Sequence, residues 1–392
     1  EPMGRVRETL HDVLRQTDTV LLALCVASTL YGMVLIASAT SFRGTLKYVA
    51  VQGLGLLIGL VLYFLLSSID VFALAKQWKW LLGFNVGFLL LLLTPFGQSS
   101  GGNRAWLGVN SIGKKLGVDF LRHFPITVQP AEVVKVFFIV LLAYQLALLK
   151  DRRDLVRFEN VIQPTAHTAF MVGLIVVISG DAGSALVYLF IFICMVFAAG
   201  MAKRWLALGI GGGAAAFLAV WQLDLLPGYM RDRFLAVLDH SYQPDDAGFQ
   251  QTRGLMALGS GELTGQGLFH GAQTQSSNVW SIPERQTDFI FSVCGEELGF
   301  LGCALIIVLL LAIVVRCLLV ARDAATPMES YVCVGMAGML IFQTIANIGM
   351  CLFLMPVIGL TLPFFSYGGS SIVTLFAAMG IVSGVKKRSR PE

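Results

Sequence analysis

Apolar residues run along this chain in blocks of about 20, separated by polar stretches of unequal length. A helix rises 1.5 Å per residue, so about 20 apolar residues suffice to cross a hydrocarbon core about 30 Å thick. The pattern predicts ten such blocks, near residues 19–39, 48–68, 78–96, 131–149, 165–179, 183–200, 204–223, 297–320, 330–354 and 366–385. The fifth is short and lies against the sixth across Ser179, Gly180, Asp181 and Gly183, as a broken helix pair would. Backbone groups in lipid must pair within their own segment, so the blocks are helices rather than strands. The expected fold is therefore all-α: a polytopic membrane helix bundle of about ten transmembrane helices, in one integral-membrane domain over residues 1–392. Two polar stretches are too long for plain connections. They are a first long loop at 97–130 and a large, partly helical loop at 224–296.

Composition agrees with this reading. The chain is 56% apolar and only 13% charged, with a mean hydropathy of +0.76, whereas soluble domains carry about 25% charged residues. Lys and Arg crowd one set of connections, among them Lys76, Lys79, Lys150, Lys203, Arg204, Arg316, Arg322, Lys386, Lys387 and Arg388. The positive-inside rule then puts both termini in the cytoplasm and both long loops on the outer face. The net charge of +4 follows from that topology, and nothing in it points to nucleic acid. The seven cysteines lie in or beside apolar blocks with no CxxC spacing, so they read as packing residues.

Candidate chemistry lies where polar groups interrupt the apolar pattern. Glu132 and Lys135 fall in the first turn of the fourth helix, three residues apart on one face. They either snorkel to the interface or line a polar cavity. Asp288 stands just before Phe289-Ile290-Phe291 and reads equally as a helix N-cap. Glu296 and Glu297 are candidate interfacial carboxylates. The run Gly259–Gly267 has the glycine content of a nucleotide loop but lacks the strand such a loop requires. Between the last two helices, Pro356 to Ser371 interrupts apolar sequence with two prolines and three glycines. Its Gly-Gly-Ser-Ser end either offers N–H groups to an anion or simply caps a helix through Ser370 or Ser371.

The stretch from Asn347 through Pro356, Gly359 and Leu362-Pro363-Phe364-Phe365-Ser366-Tyr367-Gly368-Gly369-Ser370-Ser371 resembles the signature of the SEDS family (shape, elongation, division and sporulation), which includes RodA, FtsW and SpoVE. Asn103-Arg104-Ala105-Trp106-Leu107 is similar to that family's Arg-Trp motif, although Ala105 separates the two residues here. Gln129-Pro130-Ala131-Glu132-Val133-Val134-Lys135 and Pro283-Glu284-Arg285-Gln286-Thr287-Asp288 match further blocks, and the likeness covers nearly the whole chain.

The resemblance implies a peptidoglycan glycosyltransferase that polymerises lipid II at the outer face of the bacterial cytoplasmic membrane and releases undecaprenyl pyrophosphate. It implies Asp288 as general base. Arg104, Trp106, Glu132, Lys135, Arg231, Arg233, Ser370 and Ser371 become substrate-binding candidates, and Asp181, Glu296 and Glu297 weaker ones. A divalent cation, Mg or Mn, fits such chemistry, but no ligand cluster in the sequence demonstrates a metal site. The implied partner is a class B penicillin-binding protein, for which Gly335, Gly338 and Ala346 offer either a docking face or packing within the bundle, and membrane lipids surround the whole. The rival readings are a lipid II flippase, which calls for broken helices in both halves of the chain, and a non-catalytic scaffold of the cell-wall machinery.

Overall fold

The structure, a computed structural model, describes residues 17–100, 103–108, 127–151, 157–243, 245–278 and 281–389. Helices α1 (Thr19–Ser41), α2 (Lys47–Ser67), α3 (Val71–Lys76) and α4 (Trp78–Leu90) lead through one 3-10 turn to a small sheet. Strands β1 (Gly97–Ser100), β2 (Asn103–Gly108) and β3 (Thr127–Val128) are antiparallel in that order. Helices α5 (Pro130–Asp151), α6 (Phe158–Ser179), α7 (Ala182–Ala198), α8 (Lys203–Gln222), α9 (Gly228–Leu238), α10 (Phe249–Ser260), α11 (Ile290–Arg322), α12 (Pro327–Cys351) and α13 (Gly369–Arg388) follow. Among the described residues, 8 helices are long and apolar enough to cross a membrane, and Trp78–Leu93 and Ala182–Ala198 are shorter apolar ones. Together they account for the ten predicted blocks, and the chain is a multi-pass membrane protein.

Several boundaries differ from the sequence reading. The fifth predicted block is α6, which begins at Phe158 and not near residue 165, and carries Pro164 inside it. The hydroxyls of Thr165 and Thr168 bond the carbonyls of Val161 and Pro164 in that stretch, at 2.8 and 2.9 Å. The broken pair is real: Gly180 ends α6 in the left-handed region, with φ 69°, and Asp181 starts α7 by accepting from the Ser184 amide. The loop at 97–130 contains the three-stranded sheet; Lys114, Lys115, Arg122 and His123 lie outside the described residues. Gly335, Gly338 and Ala346 pack inside the bundle, with Gly335 against Ile139 and Met195, Gly338 against Cys194, and Ala346 fully buried.

Helices α2 and α13 share the most extensive packing. Small residues allow it, since a Cβ on Gly380 or Gly384 would strike the backbone of Tyr63 or Ser67, the close approach that drives helix association in lipid. Helix α8, by contrast, buries no residue. The termini of the described chain meet at one end of the bundle, where Asp18 pairs with Arg316 at 2.8 Å and Lys386 at 3.0 Å, and Glu329 with Arg388 at 2.6 Å. The 224–296 segment covers the other end.

That cover is docked by a break in α11. Gly299 has φ 63° and ψ −160°, a conformation open to glycine and costly for any other residue. The two halves of α11 thereby expose backbone groups that the glycine run satisfies: Gln266 and Gly267 amides bond the Glu296 and Glu297 carbonyls, each at 2.9 Å, and the Phe300 amide bonds the Glu262 carbonyl at 2.9 Å. A Cβ on Gly265 would collide with the Glu297 carbonyl. The glycines thus permit backbone-to-backbone contact and do not form a nucleotide loop.

Candidate active site

One wall of the site is the start of α5. Pro130 opens the helix, where its missing N–H costs nothing. Glu132 and Lys135 follow at 5% and 1% exposure, paired at 2.6 Å. They do not snorkel: two charges this deep must neutralise one another. The Ser371 hydroxyl reaches toward the second Glu132 oxygen at 3.5 Å, and the Gln129 amide donates to Ser370 Oγ at 3.4 Å. Both serines therefore face the α5 wall. The Gln129 side chain donates to Asp181 Oδ2 at 3.0 Å, and Asp181 also accepts from the Ser184 amide and hydroxyl at 2.9 and 2.7 Å. Asp181 is thus held by neutral donors and joins the α5 wall to α7.

Asp288 stands at the junction of this wall with the cover. Helix α11 starts from Phe289 with no side-chain cap, so Asp288 is not its N-cap. Its carbonyl accepts from Asn347 Nδ2 at 2.8 Å, and Asn347 also holds the Leu360 carbonyl at 2.7 Å. One residue earlier, the Thr287 carbonyl accepts from Ser366 Oγ at 2.6 Å, and the Gln286 carbonyl accepts from the Tyr367 amide at 2.8 Å. The backbone on both sides of the carboxylate is fixed. A Cβ placed on Gly359 would stand 3.9 Å from Asp288 Oδ2, and one on Gly183 would meet the Ile358 carbonyl. The 356–371 connection therefore runs between Asp181 and Asp288. Burial, then the neighbouring Glu284, pushes the Asp288 carboxyl up to about 7, with Arg233 pulling against them and Asp181 adding to the rise. A carboxyl titrating there can hold or take a proton near neutral pH.

The other candidates separate into those near this junction and those away from it. Arg233 on α9 donates to the Val357 carbonyl at 2.7 Å and belongs to the junction. Arg104 and Trp106 alternate with buried Ala105 on β2, so the extra residue in the motif puts both on one face of the strand. Arg104 donates to the Thr94 carbonyl at 2.9 Å. Arg231 instead pairs with Asp224 and lies over the Trp221 ring at 5.4 Å, beside the unpacked α8; these contacts do not join it to Asp288.

Glu296 and Glu297 are fully buried and anchor the cover. Glu296 accepts from the Gln273 and Thr274 amides at 2.7 and 2.8 Å, and Glu297 accepts from Ser38 Oγ at 2.5 Å and Gln275 Nε2 at 2.9 Å. With every bond made to the loop or to α1, they are framework carboxylates, not interfacial ones.

Sequence reasoning passed over two positioning residues. Asn347 was visible only as a motif residue, because an amide in an apolar helix carries no sign of which backbone it holds. Gln52, fully buried on α2, donates to the Ser366 carbonyl and accepts from the Gly368 amide, both at 3.1 Å. A lone polar residue in the second apolar block was the available signal. Among the described residues, no three His, Cys, Asp or Glu side chains converge to hold a metal ion. Asp181 is already occupied by three donors, so these residues do not fit a divalent cation by themselves.

A family model described as "Cell cycle protein", covering FtsW, RodA and SpoVE, matches residues 18–391. A probable peptidoglycan glycosyltransferase FtsW of Geobacter sulfurreducens is 33% identical over 387 residues, 96% of each chain. The stage V sporulation protein E of Bacillus subtilis is 33% identical over 336 residues, 85% of each. Among solved structures, a chain from a peptidoglycan synthase complex that coordinates polymerization and crosslinking superposes with a TM-score of 0.75 at 31% identity, covering 96% of this chain and 99% of that one. The rod shape determining protein RodA of Thermus thermophilus superposes with a TM-score of 0.68 at 28% identity, covering 96% and 98%.

Proposed function

This chain belongs to the FtsW, RodA and SpoVE family of cell cycle proteins, and from that premise we propose that it polymerises lipid II into glycan strands at the outer face of the cytoplasmic membrane. It is a peptidoglycan glycosyltransferase. The observation that carries the mechanism is Asp288: its carboxyl is held near neutrality while Asn347 and Ser366 lock the backbone around it.

In the proposed reaction Asp288 takes the proton from the 4-hydroxyl of the acceptor's N-acetylglucosamine. That oxygen bonds to the anomeric carbon of the donor's N-acetylmuramic acid. The bond from that carbon to the pyrophosphate oxygen breaks, and undecaprenyl pyrophosphate leaves with the electron pair. One inversion gives the β linkage, so one base suffices. A positioned base contributes about 10²–10⁴-fold, and orientation and cations supply the rest. In this reading Arg233 meets the charge developing beside Asp288, and Arg104 and Trp106 contact the substrate from the sheet; the Arg233 bond to the Val357 carbonyl supports the first of these roles. Lys135, neutralised by Glu132, holds the wall that Ser370 and Ser371 face. Arg231 has no part in this mechanism. A class B penicillin-binding protein, as partner, cross-links the strands.

The test is polymerisation of purified lipid II by the wild-type chain and by Asp288→Ala, with the partner's own activity controlled. Polymer from the wild type and none from a folded variant is the expected outcome. Equal polymer from both removes Asp288 from the mechanism, and no polymer from the wild type redirects attention to lipid flipping.

A further inference from the structure

Helix α9, the turn after it and the start of α10 line an open-sided cavity of about 410 Å³ beside the junction. It lies within the roughly 300–1,000 Å³ range of small-molecule sites. Val357 and Arg233 form its inner edge, and the hydrogen bond between them closes that edge. Two residues beyond Val357, Gly359 borders the Asp288 carboxylate, so the cavity lies beside the reacting centre.

The rest of the lining has a specific chemistry. Tyr229 and Phe249 offer aromatic faces, Asp245 and Asp246 offer acceptors, and Gln250 offers both donor and acceptor. The Arg233 guanidinium lies 5.9 Å from the centre of the Tyr229 ring. Asp232 is already engaged by the Tyr242 hydroxyl at 2.9 Å, which pins the turn after α9 to that helix. Gln243, on the rim, has φ 44°, a left-handed conformation for a residue other than glycine. Such conformations persist where surrounding contacts enforce them and cluster at ligand sites. The carboxylates do not converge as a cation cage. A lining of flat rings, carboxylates, an amide and a guanidinium matches a neutral polyol, whose hydroxyls both donate and accept and whose ring faces are apolar.

We propose that this cavity is a glycan subsite that holds sugar units of the growing strand beyond the pair reacting at Asp288. This rests on the glycosyltransferase reading above and extends it: the subsite would retain the strand between additions and so set its length. Its residues touch the strand and not the reacting atoms, so their loss acts on retention more than on bond formation.

The test uses the full chain with its partner and lipid II, and compares Asp245→Ala/Asp246→Ala, and separately Tyr229→Ala, with the wild type. All three side chains are exposed, so these substitutions leave the core intact. Two readouts are taken: the rate of the first glycosidic bond and the distribution of strand lengths. The expected result is a mean length about tenfold shorter, the effect of losing two ordinary hydrogen bonds, with a smaller change in the first-bond rate. Unchanged lengths, or lengths and first-bond rates falling by the same factor, overturn the subsite. Saturation-transfer NMR with the β-1,4-linked N-acetylglucosamine tetramer separates this inference from the one it rests on. Contact with the tetramer that the Asp245/Asp246 variant loses supports the subsite even if the wild type makes no polymer. Contact equal in wild type and variant, or none in either, overturns it.

Discussion

Asp18 and Asp288 are two carboxylates at opposite ends of one bundle, and they differ in what surrounds them. Asp18 is fully buried and bonded to two cations, with Arg316 at 2.8 Å and Lys386 at 3.0 Å. Burial pushes its carboxyl up, but Arg316 and Lys386 outweigh burial and hold it below the ordinary value of 3.8. It ties the start of α1 to the ends of α11 and α13. Asp288 is held through its backbone, with Glu284 and Asp181 adding negative charge and Arg233 at a distance, and its carboxyl rises to about 7. A carboxylate whose charge is neutralised by bonded cations secures a fold. One that is fixed in place while its charge stays poorly compensated remains able to exchange a proton.

The comparison breaks most visibly at Asp288. Asp288→Asn keeps the shape and removes the base, so polymerisation falls about 10²–10⁴-fold, while thermal unfolding at pH 8 shows no loss of stability. A destabilised, inactive Asn variant would mean that Asp288 serves the fold as Asp18 does. Next in size is Lys135→Met, which leaves Glu132 buried without its cation. Removing one member of a buried pair costs about 3–5 kcal/mol, read as a lowered unfolding midpoint in detergent; an unchanged midpoint would show that the pair does not hold the α5 wall. Asp18→Asn leaves two cations that are each 23% exposed, and such partly solvated groups lose about 1–3 kcal/mol with activity preserved.

The pH responses of the two carboxylates have opposite signs. Polymerisation needs Asp288 charged, so the rate should fall with unit slope on a logarithmic scale as pH drops below about 7; a profile flat from pH 5 to 8 would exclude it as the base. For stability, the folded Asp288 keeps a proton between 3.8 and about 7 that the unfolded chain has lost, so its contribution is present at low pH and is lost as pH rises through about 7. Asp18 contributes above 3.8 and loses that contribution as pH falls through its lowered value. Unfolding midpoints of Asp288→Asn and Asp18→Asn across this range should therefore diverge from the wild type in opposite directions. The smallest expected effect is at Arg322, whose pair with Asp323 is solvated on both sides. Arg322→Ala should change neither activity nor the midpoint, since exposed pairs contribute little.

The number and order of the spans were legible in the sequence, because a segment that crosses lipid must satisfy its own backbone and therefore announces itself by length and apolarity alone. The Glu132–Lys135 pair was legible for a related reason: three residues on one helix are neighbours whatever the tertiary fold. The break at Ser179–Gly183 was visible in the same local way. What long-range contact decides was not visible. Only the structure separated Glu296 and Glu297, which hold the cover through loop amides, from Asp288, which lies a few residues before them and bears the same charge. Only the structure assigned Asn347 to the Asp288 carbonyl and moved Arg231 off to Asp224. Nor could the glycine run show from its composition that it docks onto the broken helix at Gly299. Spans are set by interactions within about 20 residues of chain, whereas the environment of a carboxylate, and hence its chemistry, is set by whichever distant groups the packed bundle brings beside it.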